Sequence, residues 1–130
     1  MRAEESERGA AAVEFALIVL PFLLLIFALV DLGWIFNQQL AVTTASREAI
    51  RIYAVEQQTG SADAIAHAQS RAAELVDGDL TFDWSECSAT VRNEDASVVV
   101  STPLTDLTGW VAAIAPGATL SATGTMRCGG

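Results

Sequence analysis

An apolar run constrains this chain more than any other feature. No residue from Phe15 to Val30 is charged or strongly polar, and Ala10 to Val13 extend the run upstream with Glu14 as its sole interruption. At 1.5 Å per residue, a helix from Ala10 to Val30 covers about 30 Å, which matches the hydrocarbon core of a bilayer. Trp34 and Phe36 follow Asp31 at the depth where aromatic residues mark the far interface. A cleavable secretory signal is the competing reading. Its apolar region is about 7 to 15 residues long and ends in a small-residue site, whereas here Leu29 and Val30 occupy the positions where small residues are needed. The run therefore reads as a retained, single-pass membrane segment.

The remaining composition limits what can follow. The chain has 130 residues, is 52% hydrophobic and 18% charged, and its apolar excess lies near the N-terminus. About 80 residues are left for a domain, a size at which burial alone is marginal and a staple or an oligomeric neighbour is common. Net charge is −9 and all seven basic residues are scattered arginines, so no basic stripe can neutralise a run of phosphates. Nucleic acid is excluded as an expected partner. Cys87 and Cys128 are the only cysteines and read as one disulfide in an exported domain, within or between chains. Closed within the chain, it ties a loop of about 40 residues and contributes on the order of 4 kcal/mol through chain entropy. The other reading is two unrelated buried thiols. Arg2 and Arg8 before the span nearly balance Arg47 and Arg51 after it, so the cysteines and the short N-terminal tail decide the expected orientation, N-terminus inside and C-terminus outside.

A carboxyl inside an apolar segment costs a few kcal/mol on insertion scales and usually has a partner or a purpose. Glu14 is such a group; alternatively it sits shallowly and snorkels to the headgroups. Arg8-Gly9-Ala10-Ala11-Ala12-Val13-Glu14-Phe15 resembles the type IVb prepilin processing motif, in which a membrane aspartyl peptidase cuts after the glycine. The same residues, running through Ala16-Leu17 into Leu20-Pro21 and a leucine-rich stretch, resemble the TadE-like family of pseudopilins from tight-adherence systems. Ser121-Ala122-Thr123-Gly124-Thr125-Met126-Arg127 is similar to that family's usual ending.

The resemblance implies that Gly9 and Ala10 flank a processing site and that Glu14, with Phe15 beside it, serves assembly by pairing with the free amine of an adjacent subunit. Such a pair specifies register more than stability. It also implies partners: inner-membrane lipid, other pilin-like subunits and pilus assembly proteins, and a prepilin peptidase if the leader is processed. The expected location is the bacterial inner membrane, with a periplasmic or extracellular C-terminal domain and possible incorporation in a pilus. The alternative is an uncleaved membrane-anchored binding or scaffold module. Expected boundaries are 1–9 for the leader, 10–36 for the transmembrane helix, 37–60 for its helical extension and 61–130 for an exported α+β domain.

Local patterns fill in that domain. Leu32, Ile35, Phe36, Leu40, Val42, Ile50 and Tyr53 predict an amphipathic continuation of the first helix, from Gly9 to about Tyr53, that stops near Thr59-Gly60. Its apolar stripe needs cover, from the C-terminal domain or from neighbouring subunits. Ser61 is the expected cap of a second helix whose apolar face is Ile65, Ala68, Ala72, Leu75 and Val76, with Gly78 at its end. Leu80, Phe82 and Trp84 then alternate with polar residues, as in a half-buried strand. Ser88 to Arg92 and Ala96 to Thr102 flank Asn93-Glu94-Asp95 as an expected hairpin, and Thr119 to Arg127 reads as a last strand. Between them, Leu107, Trp110, Val111 and Ile114 predict a short helix or interfacial turn, with Trp110 packed in the core or anchoring a partner surface. The expected fold class is α+β: a long N-terminal helix, a second helix and an antiparallel sheet of about four strands.

Little in the chain supports catalysis. His67 shares a helical face with Asp63 and Ser70, but three side chains on one exposed helix provide neither an oxyanion hole nor a concave pocket. Asp77-Gly78-Asp79 with Thr81, Asp83 and Glu86 resembles a set of oxygen ligands. Phe82 and Ser88 nevertheless stand where an EF-hand loop needs glycine and glutamate, so a solvated turn and strand face is expected. No cofactor or enzymatic activity is expected.

Overall fold

The computed structural model describes residues 2–87 and 94–128. Its first element, α1, is one uninterrupted helix, Arg2–Thr59, of 58 residues, about 87 Å long at the standard rise. It runs through Pro21 and begins upstream of the expected start. The helix ends where the sequence predicts its stop. Gly60 adopts φ +74°, its N–H donates to Gln57 O at 3.2 Å, and the Ser61 N–H reaches back to Glu56 O at 3.1 Å. These are the paired bonds of a Schellman motif, which needs a left-handed residue just past the helix.

Helix α2, Ala64–Ala73, returns along α1. Its cap is Asp63 rather than Ser61, and the Asp63 side chain makes no capping bond. Its buried face is Ala64, Ala68 and Ala72, a narrow i, i+4, i+8 stripe that allows close approach of the two helices. Ile65 and Val76 are partly buried at the margins, and Leu75 is exposed.

The sheet has three antiparallel strands among the described residues, in the order β1 (Thr81–Ser85), β2 (Asp95–Pro103) and β3 (Thr119–Arg127). About four were expected, so the described count is one fewer. Both edges of β2 are taken between Ser97 and Ser101, by β1 on one side and β3 on the other. The expected first limb of the hairpin, Ser88 to Arg92, lies outside the described residues.

Register accounts for the sheet's two faces. Phe82, Val100 and Ala122 are aligned across the strands, as are Trp84, Val98 and Gly124, and these rows turn toward α1. The opposite face carries Thr81, Asp83 and Ser85 of β1 and Ser121, Thr123 and Thr125 of β3, all exposed. The core therefore sits between the sheet and the distal part of α1: Val42, Ala45, Ala49, Ile50 and Tyr53 against Ala96, Val98 and Val100.

A third helix, α3 (Trp110–Ile114), lies between β2 and β3 and has no buried residue. Core packing of Trp110 is therefore corrected: its side chain is exposed.

Candidate functional site

Among the described residues, no side chain of α1 from Gly9 to Val30 is buried. From Val13 to Val30 its large side chains are exposed, apart from the half-buried Val19, with Phe15 at 68% and Leu17 at 70%. The helix is long and apolar enough to cross a membrane by length and composition. Gly9, Ala10, Glu14 and Phe15 all lie on this bare stretch and are exposed. Ala10 and Glu14 are four residues apart, so they lie on one side of the helix, one turn from each other. Among the described residues Glu14 makes no hydrogen bond or ion pair.

The exposed apolar surface continues beyond the run. Leu32, Phe36 and Leu40 belong to the stripe expected to need cover, and the chain's own head leaves them exposed at 48%, 63% and 67%. The face that does receive the head combines the large side chains Val42, Ile50 and Tyr53 with small residues between them. Ala45, Ser46 and Ala49 have no exposed surface, and β3 crosses there at Gly124. A Cβ on Gly124 would collide with the Ser46 carbonyl, its carbon lying only 2.8 Å away, so strand and helix backbones are in direct contact.

Three polar side chains on α1 fasten the head, and sequence reasoning assigned a role to none of them. Gln39 donates from Nε2 to Ser121 O at 3.0 Å. Gln38 donates to Thr105 O at 2.6 Å, and its Oε1 accepts from the Thr105 N–H at 3.2 Å and the Thr105 hydroxyl at 2.9 Å. Asp31 has no exposed surface. Its carboxyl accepts the Leu107 N–H at 3.1 Å and a bond from the Thr108 hydroxyl. The signal for Asp31 was present: it is a lone carboxyl at the end of an apolar run, the same reasoning that singled out Glu14.

At the far end of the head, Cys87 and Cys128 form a disulfide within the chain, with Cα atoms 5.7 Å apart. The Cys87 N–H donates to the Tyr53 hydroxyl at 3.2 Å. Tyr53 also packs its ring on Trp84, centroids 5.3 Å apart. The disulfide thus joins the segments following β1 and β3 beside the distal part of α1.

The remaining candidates disperse. His67 is exposed and pairs through Nδ1 with Glu56 of α1, while the Ser70 hydroxyl donates to the His67 backbone carbonyl at 3.1 Å. No Ser–His–Asp relay is assembled. Asp77, Asp79, Asp83 and Glu86 are all exposed, and no group of three or more potential metal ligands comes together among the described residues. In the cleft between α1 and α2, beside Arg71, Arg51 donates to Glu48 at 2.9 and 2.7 Å. These hydrogen bonds hold the Glu48 carboxyl below its ordinary range.

A helix that is bare and apolar from Gly9 to Val30 and covered by a small α+β head over its second half defines a class of protein compatible with a membrane anchor. Within that class, the family model described as TadE-like protein matches residues 9–51, about a third of the chain, and agrees with the resemblance read from Gly9 through Pro21. No curated protein and no solved structure matches the chain.

Proposed function

We propose that the chain is a TadE-like minor pilin or pseudopilin that takes part in biogenesis or assembly of a tight-adherence pilus, packing through its apolar helix. The observation that carries this reading is the position of the family match. Residues 9–51 cover the bare half of α1, its unpartnered Glu14 and the exposed row of Leu32, Phe36 and Leu40. A rod of this kind has apolar surface for lipid before assembly and for neighbouring helices after it. On this reading residues 1–9 are a leader removed after Gly9 and residues 10–36 span the inner membrane. Residues 37–60 extend the helix, and 61–130 form the exported domain, where the disulfide forms. Prepilin peptidase, pilin-like subunits and pilus assembly proteins are the partners.

The mechanism is register selection. After cleavage the new amine at Ala10 and the Glu14 carboxyl share one side of the helix. Each is costly to bury alone and less so when paired with its counterpart on a neighbour. Misaligned helices would leave both groups unpaired in an apolar bundle.

Intact-mass measurement on protein extracted from membranes with active prepilin peptidase tests the processing step: loss of residues 1–9 is expected, and their retention overturns it. Glu14→Ala is expected to insert normally and to abolish assembly. If assembly persists and full-length protein accumulates, the uncleaved anchored module becomes the better reading.

A further inference from the structure

We infer that the turn and short helix from Leu107 to Ile114 form a second membrane contact, seated at the lipid interface beside α1. This rests on the proposal that α1 spans a bilayer. The first argument is level. Thr105 is bonded to Gln38, but two residues later the Leu107 N–H is bonded to Asp31. The chain has moved seven residues back along α1, about 10 Å toward the apolar run. Asp31 directly follows Val30, the last residue of that run, so α3 leaves the head at the helix's exit from the hydrocarbon.

The second argument is chemistry. Leu107, Trp110 and Ile114 are exposed at 57%, 42% and 73%, and no charged residue occurs between Asp106 and Arg127. Two neighbouring carboxyls, Asp31 and Asp106, are engaged by backbone N–H groups. Asp31 is buried, and Asp106 Oδ2 accepts the Val111 N–H at 2.8 Å and the Ala112 N–H at 3.4 Å. In a chain of net charge −9, this apolar surface thus keeps its adjacent charges out of the way. Trp34 is exposed on α1 one turn beyond Asp31, which sets two indoles near one level, where interfacial tryptophans collect.

The third argument is that the projection is held in place. Leu104 N–H donates to Ala118 O at 2.9 Å and closes its base. Gly109, in the left-handed region at φ +81°, starts α3. The apolar band of α1 runs directly into this surface, so the lipid that covers one reaches the other. An interfacial element with apolar residues on its exposed side partitions in this way.

Quenching of tryptophan emission in phosphatidylcholine vesicles brominated at shallow acyl positions tests the inference on the full chain. Trp84 is half-buried against the core with its indole nitrogen sealed from solvent, and as it is common to every variant compared it can be left in place. Comparing Trp34→Phe with the double variant Trp34→Phe/Trp110→Phe isolates Trp110, and Trp110→Phe against the same double variant isolates Trp34. The expected result is roughly a two-fold loss of Trp110 emission from brominated lipid, as for an indole at headgroup level, with little quenching by aqueous acrylamide. Quenching of Trp110 by acrylamide alone overturns the inference and leaves it a water-exposed loop. Protection from both quenchers also overturns it and assigns the surface to a protein neighbour, a second copy included. If Trp34 too escapes the brominated lipid, the spanning reading itself fails and the inference falls with it.

Discussion

Gly124 and Asp31 show how single residues set the geometry of the head on its helix. At Gly124 the missing side chain is the functional feature, because the Ser46 carbonyl occupies the space that a Cβ would need. Neighbouring contacts leave little freedom to adjust, since Ile50 Cγ2 lies 3.0 Å from the same point. Gly124→Ala is therefore expected to push β3 off α1 and cost about 1–3 kcal/mol, the range for overpacking a filled core. A fall of several degrees in Tm of the detergent-solubilised chain would report it; an unchanged Tm would mean that the backbone contact is not close. Asp31 works in the opposite sense, by supplying an acceptor where the chain turns. It leaves neither the Leu107 N–H nor the Thr108 hydroxyl without a partner at the edge of the apolar region, where an unmade hydrogen bond is costly.

The elements differ in how far they could be read from sequence. Strands β1, β2 and β3 were legible because one face is apolar and the other polar, so alternation in the sequence is alternation in the fold. The distal half of α1 resists such a reading for a physical reason. Its apolar residues Leu32, Phe36 and Leu40 face outward, while Ala45, Ser46 and Ala49 are buried. A pattern that equates apolar with inward holds for Val42, Ile50 and Tyr53 and fails for Leu32, Phe36 and Leu40, where the head does not reach. The docking bonds of Gln38 and Gln39 join residues far apart in the chain, and no local spacing announces them. The side of α1 that faces α2 carries the Glu48–Arg51 pair. Because folding lowers the Glu48 pKa, the pair's contribution is present above the unfolded carboxyl's pKa and is lost as pH falls through the lower folded value. The Tm advantage of the native chain over Glu48→Gln is accordingly expected to be small at neutral pH and to vanish in acid. It should also vanish at about 1 M salt, where screening acts over roughly 3 Å. An advantage that grows as pH falls would reverse the sign and sink the assignment.

At the scale of the molecule, the head is fastened to one helix at two ends. The proximal end is held by Asp31 and Gln38 at the limit of the apolar run, the distal end by the Tyr53 hydroxyl, which accepts the N–H of Cys87 where the Cys87–Cys128 disulfide closes the head on itself. The two fastenings are about 33 Å apart along α1, from Asp31 to Tyr53. Polar docking bonds stabilise the native arrangement, whereas a disulfide across a sequence separation of 41 chiefly restricts the unfolded chain, on the order of 4 kcal/mol. That is a large share of the stability of so small a head. Reduction is therefore expected to lower Tm markedly and to speed hydrogen exchange first around β1 and the end of β3. Below the lowered Tm, the Leu107 amide should stay protected by Asp31. Mobility on a non-reducing gel should be that of a compact monomer, because the bridge lies within the chain. If reduction instead released Leu107 as early as the strands, the two ends would be a single cooperative unit whose polar seam depends on the disulfide for its stability.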